Sequence, residues 1–424
     1  MMERHINDLL SFLDEGPAAF NASVAITRRL DKAGFTCIRE QDAWQLKPGG
    51  KYYLVRGETA VMAFIIGSQP LTQSGFQIAA SHIDSPALKL KGASLKNIAN
   101  TAKVGVEVYG GPIVHTWLDR ELGLAGKVMV KEKKELKTHL VNIPEPIAII
   151  PNAAIHMNRD LNNGFKYNAQ AHLTAILATG SEDGNPIKAL VAKELKIDVE
   201  QIVDCELYFY DLAKATRLGV DKSMISSGRL DNLAMSHAIL TSITDAKKPK
   251  STCVAAFFDH EEIGSTTLQG AHSSFMDTVL KRISAQLDCT QEDHFRALSQ
   301  SFLISADMAH ALHPSYMEKY DPDYSPMINK GPVIKINSNH RYASTASSSQ
   351  HFIQLCHEAG VQYQKFMVRS DMPCGSTVGP GVSALLGIPT IDIGNPMWAM
   401  HSVREVCGVN DHSDLIKVLN KYYR

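Results

Sequence analysis

Several apolar runs in this chain end at side chains able to bind a metal or move a proton. Phe-Gln-Ile-Ala-Ala-Ser runs into His82-Ile83-Asp84, and Cys-Val-Ala-Ala-Phe-Phe into Asp259-His260-Glu261-Glu262-Ile-Gly-Ser. Ser-Phe-Leu-Ile-Ser-Ala is followed by Asp307-Met-Ala-His310, and Thr-Ile-Asp-Ile-Gly leads to Met400-His401-Ser402. Gly228-Arg-Leu-Asp231-Asn232 sets one more carboxylate just before a helical run. Ligands of open α/β sheets gather at the carboxyl ends of strands, so these placements point to one common site.

Each piece has an ordinary reading as well. On a strand, residues two apart face the same side, so His82 can bind an ion through one ring nitrogen while Asp84 accepts the other N–H. A surface histidine beside an unrelated aspartate looks the same in sequence. Adjacent carboxylates after a buried strand are costly unless a cation compensates; a solvated loop is the alternative, made weaker by the apolar lead-in. Asp231 also suits a helix N-cap, a role compatible with metal binding. Together these residues supply two histidines and three carboxylates, with one glutamate to spare. That inventory fits two divalent ions that share a carboxylate, the spare glutamate moving protons. Histidine and carboxylate without cysteine suit Zn²⁺ first, with Mn²⁺ and Co²⁺ as alternatives.

The elements that must position these groups alternate between helix and strand. Residues 3–14 and 17–33 have helical spacing with a Gly-Pro break between them; Val61–Gly67 and Phe76–Ser81 read as strands. Asn232–Asp245, Met276–Gln286 and Ser347–Ala359 read as helices; Cys253–Phe258, Ser301–Ser305 and Pro332–Asn337 read as strands. Two short apolar runs, Val382–Leu386 and Thr390–Ile393, close the series before a helix near 411–422. Between them the texture changes to short β-type runs, Val104–Tyr109 and Lys127–Val130, with a solvated turn at Lys131–Lys137. Residues 144–190 read as loop-rich, ending in an Ala/Leu/Ile run. A chain of 424 residues exceeds one core, so two domains are expected: 1–88 plus 223–424 as an α/β catalytic unit, and 89–222 as an inserted β-rich unit.

Composition excludes several functions. Lys plus Arg total 43 against 44 acidic residues, a balance that leaves no footprint for nucleic acid or an anionic membrane. There is no apolar stretch of ~18 residues for a membrane span, and the N-terminus has no signal-type apolar region. Seven scattered cysteines without a CxxC read as free thiols in a reducing compartment, so cytoplasm is expected.

The motifs Ser-His-Ile-Asp-Ser-Pro (81–86), Gly-Arg-Leu-Asp-Asn (228–232), Asp-His-Glu-Glu-Ile-Gly-Ser (259–265) and Asp-Met-Ala-His-Ala-Leu-His-Pro (307–314) resemble the M18, or aspartyl, aminopeptidases. So do Lys-Gly-Pro-Val-Ile-Lys-Ile-Asn (330–337), Arg-Tyr-Ala-Ser (341–344), Pro-Cys-Gly-Ser-Thr-Val-Gly-Pro (373–380) and Ala-Met-His-Ser-Val-Arg-Glu (399–405). The resemblance runs nearly end to end, in family order. It implies a mixed-sheet, zinc-peptidase-like catalytic domain with an inserted dimerisation domain, acting on the N-terminal residue of peptides. His82, Asp231, Glu262, Asp307 and His401 then correspond to the metal ligands, with Asp231 bridging two ions. Glu261 corresponds to the general base and Asp84 to the carboxylate that orients His82. Lys335 corresponds to the lysine that meets an acidic first residue, with Tyr342 nearby; an exposed edge-strand lysine is the ordinary alternative. His156 corresponds to a histidine reaching a neighbouring subunit's site, in dimers that assemble into a tetrahedral dodecamer. His260 stands where the family often has Asn, which puts the surroundings of the glutamate pair in question, and the tail after Arg404 is short.

Two other readings remain open at this level. One is a catalytically inactive shell protein on the same scaffold that binds peptides or cargo; retention of all five ligands and Glu261 counts against it. The other is a thiol hydrolase using Cys374 in its Pro-Cys-Gly turn, for which no partner histidine can be assigned.

Overall fold

The computed structural model describes residues 2–180 and 185–424. Among these, nine strands form the main sheet: β1 (Thr36–Cys37), β2 (Lys51–Arg56), β3 (Ala60–Ile65), β4 (Phe76–His82), β5 (Thr252–Phe258), β6 (Phe302–Ala306), β7 (Val333–Lys335), β8 (Gln364–Phe366) and β9 (Thr390–Gly394). Their spatial order is β1-β2-β3-β5-β4-β6-β9-β7-β8. The central four, β5-β4-β6-β9, are mutually parallel, so their carboxyl ends share one edge. β3 and β7 join the two flanks of this block antiparallel.

The central strands read as unbroken apolar runs because both faces are covered. Side chains alternate between two cores. Ala79, Ala255, Phe257, Ile304 and Ile391 enter one, with helices Met2–Glu15, Ala19–Lys32, Leu230–Asp245, Ala346–Ala359 and Val409–Tyr422. Ile78, Ala80, Val254, Ala256 and Leu303 enter the other, with helices Phe275–Gln286 and Val378–Leu386. The first helix shows how periodicity sets this: Ile6, Leu9, Phe12 and Leu13 form one buried stripe, flanked by the half-buried Leu10.

A second sheet gathers seven strands between Ala87 and Asp211, every adjacent pair antiparallel. It has its own apolar cluster, to which helix Pro186–Leu195 contributes Ile187, Val191 and Ala192. A third, five-stranded sheet links Thr216–Leu218 and Met224–Ser227 to Glu405–Gly408, Pro396–Trp398 and Ala309–His310. No helix of the described residues is long and apolar enough to cross a membrane.

Several expectations need correction. The solvated stretch at 131–137 is only the tip of a long hairpin, Leu122–Glu132 with Glu135–Ala148. Charged and exposed side chains at its start hid the second strand, which is buried only at Val141, Ile143 and Ala148. Within 144–190, the Ala/Leu/Ile run is the strand Thr174–Thr179; residues 181–184 lie outside the described residues. Of the two closing apolar runs only the second is a strand. The first lies in helix Val378–Leu386, buried on one side, where a short apolar segment has no distinctive period. The strands Lys51–Arg56 and Ile202–Asp211 escaped the sequence reading.

The last helix locks the parallel block. The hydroxyl of Tyr422, whose side chain is fully buried, donates to the Phe302 carbonyl at 2.6 Å and accepts the Ile78 N–H at 2.9 Å. Tyr422→Phe strands two buried backbone groups and is expected to destabilise the fold by about 1–3 kcal/mol. Chemical denaturation of the variant checks this; an unchanged midpoint would contradict it.

Candidate metal centre

The ligand candidates come from separate elements that end at the shared carboxyl edge. His82 closes β4, Glu261 and Glu262 follow β5, Asp307 follows β6, and His401 follows β9 after a short excursion. Asp231 lies in the first turn of helix Leu230–Asp245, on non-helical backbone. Three of the turns use left-handed residues that regular elements do not: Arg229 at φ 60, His260 at φ 62 and His401 itself at φ 68. Such backbone costs about 1–3 kcal/mol per residue and persists where surrounding bonds enforce it. Gly394 is required for a related reason: a Cβ there would stand 1.8 Å from the Asp307 carbonyl oxygen.

The side chains converge. His82 Nε2 lies 3.6 Å from Asp231 Oδ1 and 3.9 Å from Asp307 Oδ2. His401 Nε2 lies 3.4 Å from Asp231 Oδ2 and 3.4 Å from Glu262 Oε2. The two oxygens of Asp231 thus face different histidines. Glu261 stands beside the first group, its Oε2 4.0 Å from His82 Nε2. Three sets of possible ligands satisfy the same proximity: His82, Asp231 and Asp307; Asp231, Glu262 and His401; and His82, Glu261 and Glu262. The helix-cap alternative for Asp231 does not hold, since Arg229 occupies the cap position and the carboxylate turns to the histidines.

These residues fit a divalent ion. Charge-assisted N–H···O bonds are about 2.7–2.9 Å long, and every separation above exceeds that. Ligand atoms about 2.1 Å from one tetrahedral ion stand about 3.4 Å apart, the spacing found around His401, and those around His82 are wider at 3.6 and 3.9 Å. Asp231 Oδ1 and Glu262 Oε1 are buried without a hydrogen-bond partner, which is unfavourable unless a cation meets them. The far ring nitrogens are held: His82 Nδ1 meets the Asp84 carbonyl at 3.1 Å, and His401 Nδ1 meets the Gly111 carbonyl at 3.0 Å. With Nδ1 donating, each Nε2 offers its lone pair to the cluster.

Asp84 does more than orient His82. One oxygen stands 3.3 Å from His82 Nδ1 and accepts the Glu261 N–H at 3.1 Å; the other accepts the Glu262 N–H at 3.1 Å and the Tyr109 hydroxyl at 2.7 Å. Glu405, fully buried, accepts the His401 N–H at 2.7 Å and the Asp231 N–H at 3.1 Å. Sequence reasoning gave Glu405 and Tyr109 no role; their only signal is their position within or beside the site motifs. His260 turns away to Thr267 and Asp259.

Lys335 is buried, not an edge-strand solubility residue. Its Nζ donates to the Met308 carbonyl at 3.0 Å, lies 3.4 Å from Asp307 Oδ1 and sits over the buried Tyr342 ring at 5.2 Å. His156 is exposed on a turn of the 87–211 segment and makes none of the contacts that join the cluster. Cys374 packs against the small cluster that holds Tyr342, and among the hydrogen bonds of the described residues none joins it to a histidine. All seven cysteines are free.

An α/β sandwich carrying a histidine–carboxylate metal site and a spare glutamate at its strand ends has the equipment of a metal-dependent hydrolase. The family model described as Aminopeptidase I zinc metalloprotease (M18) matches residues 12–423. A "Probable M18 family aminopeptidase 2" of Clostridium novyi is 43% identical over 423 residues, covering 98% of both chains. The cryo-EM structure of the Ape4 and Nbr1 complex has a chain with TM-score 0.96 and 36% identity, covering 100% of this chain and 86% of that one. The S. cerevisiae mApe1 dodecamer gives TM-score 0.86 at 26% identity, over 98% of this chain and 95% of that one. The chain belongs to the M18 family of aminopeptidases and is a metallo-aminopeptidase.

Without cations the cluster must hold protons. Burial lifts Glu262 to about 9 and Glu405 to about 8, with Asp231 adding to both. Burial also lifts Glu261 to about 7, against the pull of His82. His401 is lowered by burial, but Asp231 and Glu262 outweigh this and raise it to about 10. All four are raised, so the folded metal-free protein keeps protons that the unfolded chain releases. Their stabilisation is complete in acid and is lost as pH rises through about 7–10. Bound ions replace those protons, so Zn²⁺ should raise the melting temperature more at pH 8 than at pH 6. Thermal scans with and without Zn²⁺ at both pH values check this; an equal or smaller shift at pH 8 would contradict it.

Proposed function

We propose that this aminopeptidase uses two divalent ions, Zn²⁺ first among them and Mn²⁺ or Co²⁺ as alternatives, to remove N-terminal residues from peptides, with a preference for Asp and Glu. The observation that carries the two-ion reading is the double orientation of Asp231, one oxygen toward His82 and the other toward His401. In this reading His82, Asp231 and Asp307 hold one ion, and Asp231, Glu262 and His401 hold the other. Bound ions would supply Lewis acidity and make water more acidic. Glu261 is the general base: its carboxylate lies 4.0 Å from His82 Nε2 and groups with His82 and Glu262, placed to take a proton from water and pass it to the leaving amine. Asp84 acts by holding His82 and both glutamate backbones in place.

Lys335 and Tyr342 form the candidate pocket for an acidic first residue. The Lys335 ammonium already lies beside Asp307, so a substrate carboxylate would join a cation that also faces the ligand set. The 89–222 segment is taken as an inserted oligomerisation domain, by analogy with the dodecameric mApe1. His156, exposed on it, is the residue proposed to reach a neighbouring subunit in a tetrahedral assembly. Seven free cysteines and the near-neutral charge support a cytoplasmic location and give no reason to invoke nucleic acid or membrane partners.

Glu261→Gln is expected to lower kcat by about 10²–10⁴ while bound zinc stays at the wild-type level. Undiminished turnover would remove Glu261 from the role of base. Lys335→Met should lower kcat/KM for aspartyl relative to leucyl substrates by about 10- to 100-fold, the loss of a charge-assisted hydrogen bond. Taking the ratio cancels any general effect on Asp307. An unchanged ratio would show that Lys335 does not select the first residue.

A further inference from the structure

The segment Tyr109–Thr116 leads out of a strand of the second sheet, Thr101–Tyr109, and touches the metal centre at three points. The Tyr109 hydroxyl donates to Asp84 Oδ2 at 2.7 Å. Gly111 accepts from His401 Nδ1 at 3.0 Å, and Ile113 N–H donates to the His401 carbonyl at 2.9 Å. The strap ends at Thr116, whose hydroxyl oxygen accepts the Val403 N–H at 3.0 Å. Its path leaves no slack: a Cβ on Gly110 would stand 3.1 Å from the Glu262 Cβ.

A cavity of about 50 Å³ lies along the seam between the two sheets, lined by Tyr109, Trp117, Tyr208, Asp84 and His401 among others. Across this seam the hydrogen bonds named above tie the strap to the ligand-bearing groups. His401 is the more dependent of the two histidines, because it sits on left-handed backbone with its side chain about one-third exposed.

We propose that Tyr109 is a positioning residue of the metal centre, acting through Asp84, and that the 109–116 strap makes seating of the second sheet a condition for full metal affinity. The role goes beyond oligomerisation and rests on the two-ion reading above. Burial keeps the Tyr109 hydroxyl protonated far beyond its ordinary range, so it remains a donor at working pH. Losing it frees one corner of the Asp84 carboxylate, which stands 3.3 Å from His82 Nδ1 and accepts the N–H groups of Glu261 and Glu262.

The test is Zn²⁺ affinity of the full-length protein, by competition with a chromogenic chelator, for Tyr109→Phe, Thr116→Val and Tyr208→Phe. Partners that orient metal ligands typically contribute 10- to 100-fold in affinity, so Tyr109→Phe is expected to lose at least about tenfold. Thr116→Val, which cuts the far end of the strap, should also weaken binding. Tyr208 meets Tyr109 only ring to ring, 6.0 Å between centroids, so Tyr208→Phe should bind as wild type. Wild-type affinity in both strap variants, or an equal loss in all three, would overturn the proposal. Wild-type stoichiometry judges the two-ion reading separately: two zinc ions per chain support it, and one would sink it whatever the strap variants do.

Discussion

The mutual repulsion of buried acids governs this structure. Asp84, Asp231, Glu261, Glu262, Asp307 and Glu405 crowd one edge of the sheet, with His82, His401 and Lys335 as nearby cation-capable groups. Such crowding of carboxylates is unfavourable in an empty low-dielectric site, even with His310 also close by, and favourable around divalent cations. The surrounding architecture makes sense as the means of holding it. Parallel strands bring four chain segments to one edge, and left-handed turns aim the side chains across short distances. The two carboxylates without a metal role, Asp84 and Glu405, spend their oxygens on the ligand-bearing segments: Asp84 on the His82 ring and the glutamate amides, Glu405 on the amides of Asp231 and His401.

Much of this was legible in the sequence because the central strands are buried on both faces. A strand such as Thr252–Phe258 appears as an unbroken apolar run, and the metal-competent side chains at or just past its end mark the carboxyl edge. Such strand ends located His82, the glutamate pair and Asp307. His401 was harder, since it lies seven residues beyond the end of β9, and Asp231 comes from a helix start. What failed to show were interactions through backbone. Gly111 and Ile113 act by carbonyl and amide, which no side-chain pattern can report, and Glu405 works by accepting two backbone amides. Misread elements have equally plain causes. The 378–386 segment is a short, one-sidedly buried helix containing Pro380 and two glycines, and its composition resembles that of a strand or turn. The hairpin at 122–148 is half exposed, and the second strand opens on a charged, exposed stretch with its buried residues, Val141 and Ile143, only farther along.

The second sheet changes character in this light. Its apolar cluster is separate from the two that flank the main sheet, apart from Val403, which joins it from just beyond His401. Two elements with separate cores can shift relative to one another, and here the shift would be felt directly by a candidate ligand. Lys335 makes a similar link on the opposite side, since the ammonium proposed to greet a substrate carboxylate is already bound to Asp307. In the proposed reading, substrate recognition, metal loading and the seating of the second sheet share a few side chains.

The most direct test of the central claim is anomalous diffraction from crystals of the zinc-loaded protein, with data collected on both sides of the zinc edge. The account predicts two peaks about 3.5–4 Å apart, with Asp231 between them, one also bound by His82 and Asp307 and the other by Glu262 and His401. A single peak, or peaks placed away from these five side chains, would contradict it.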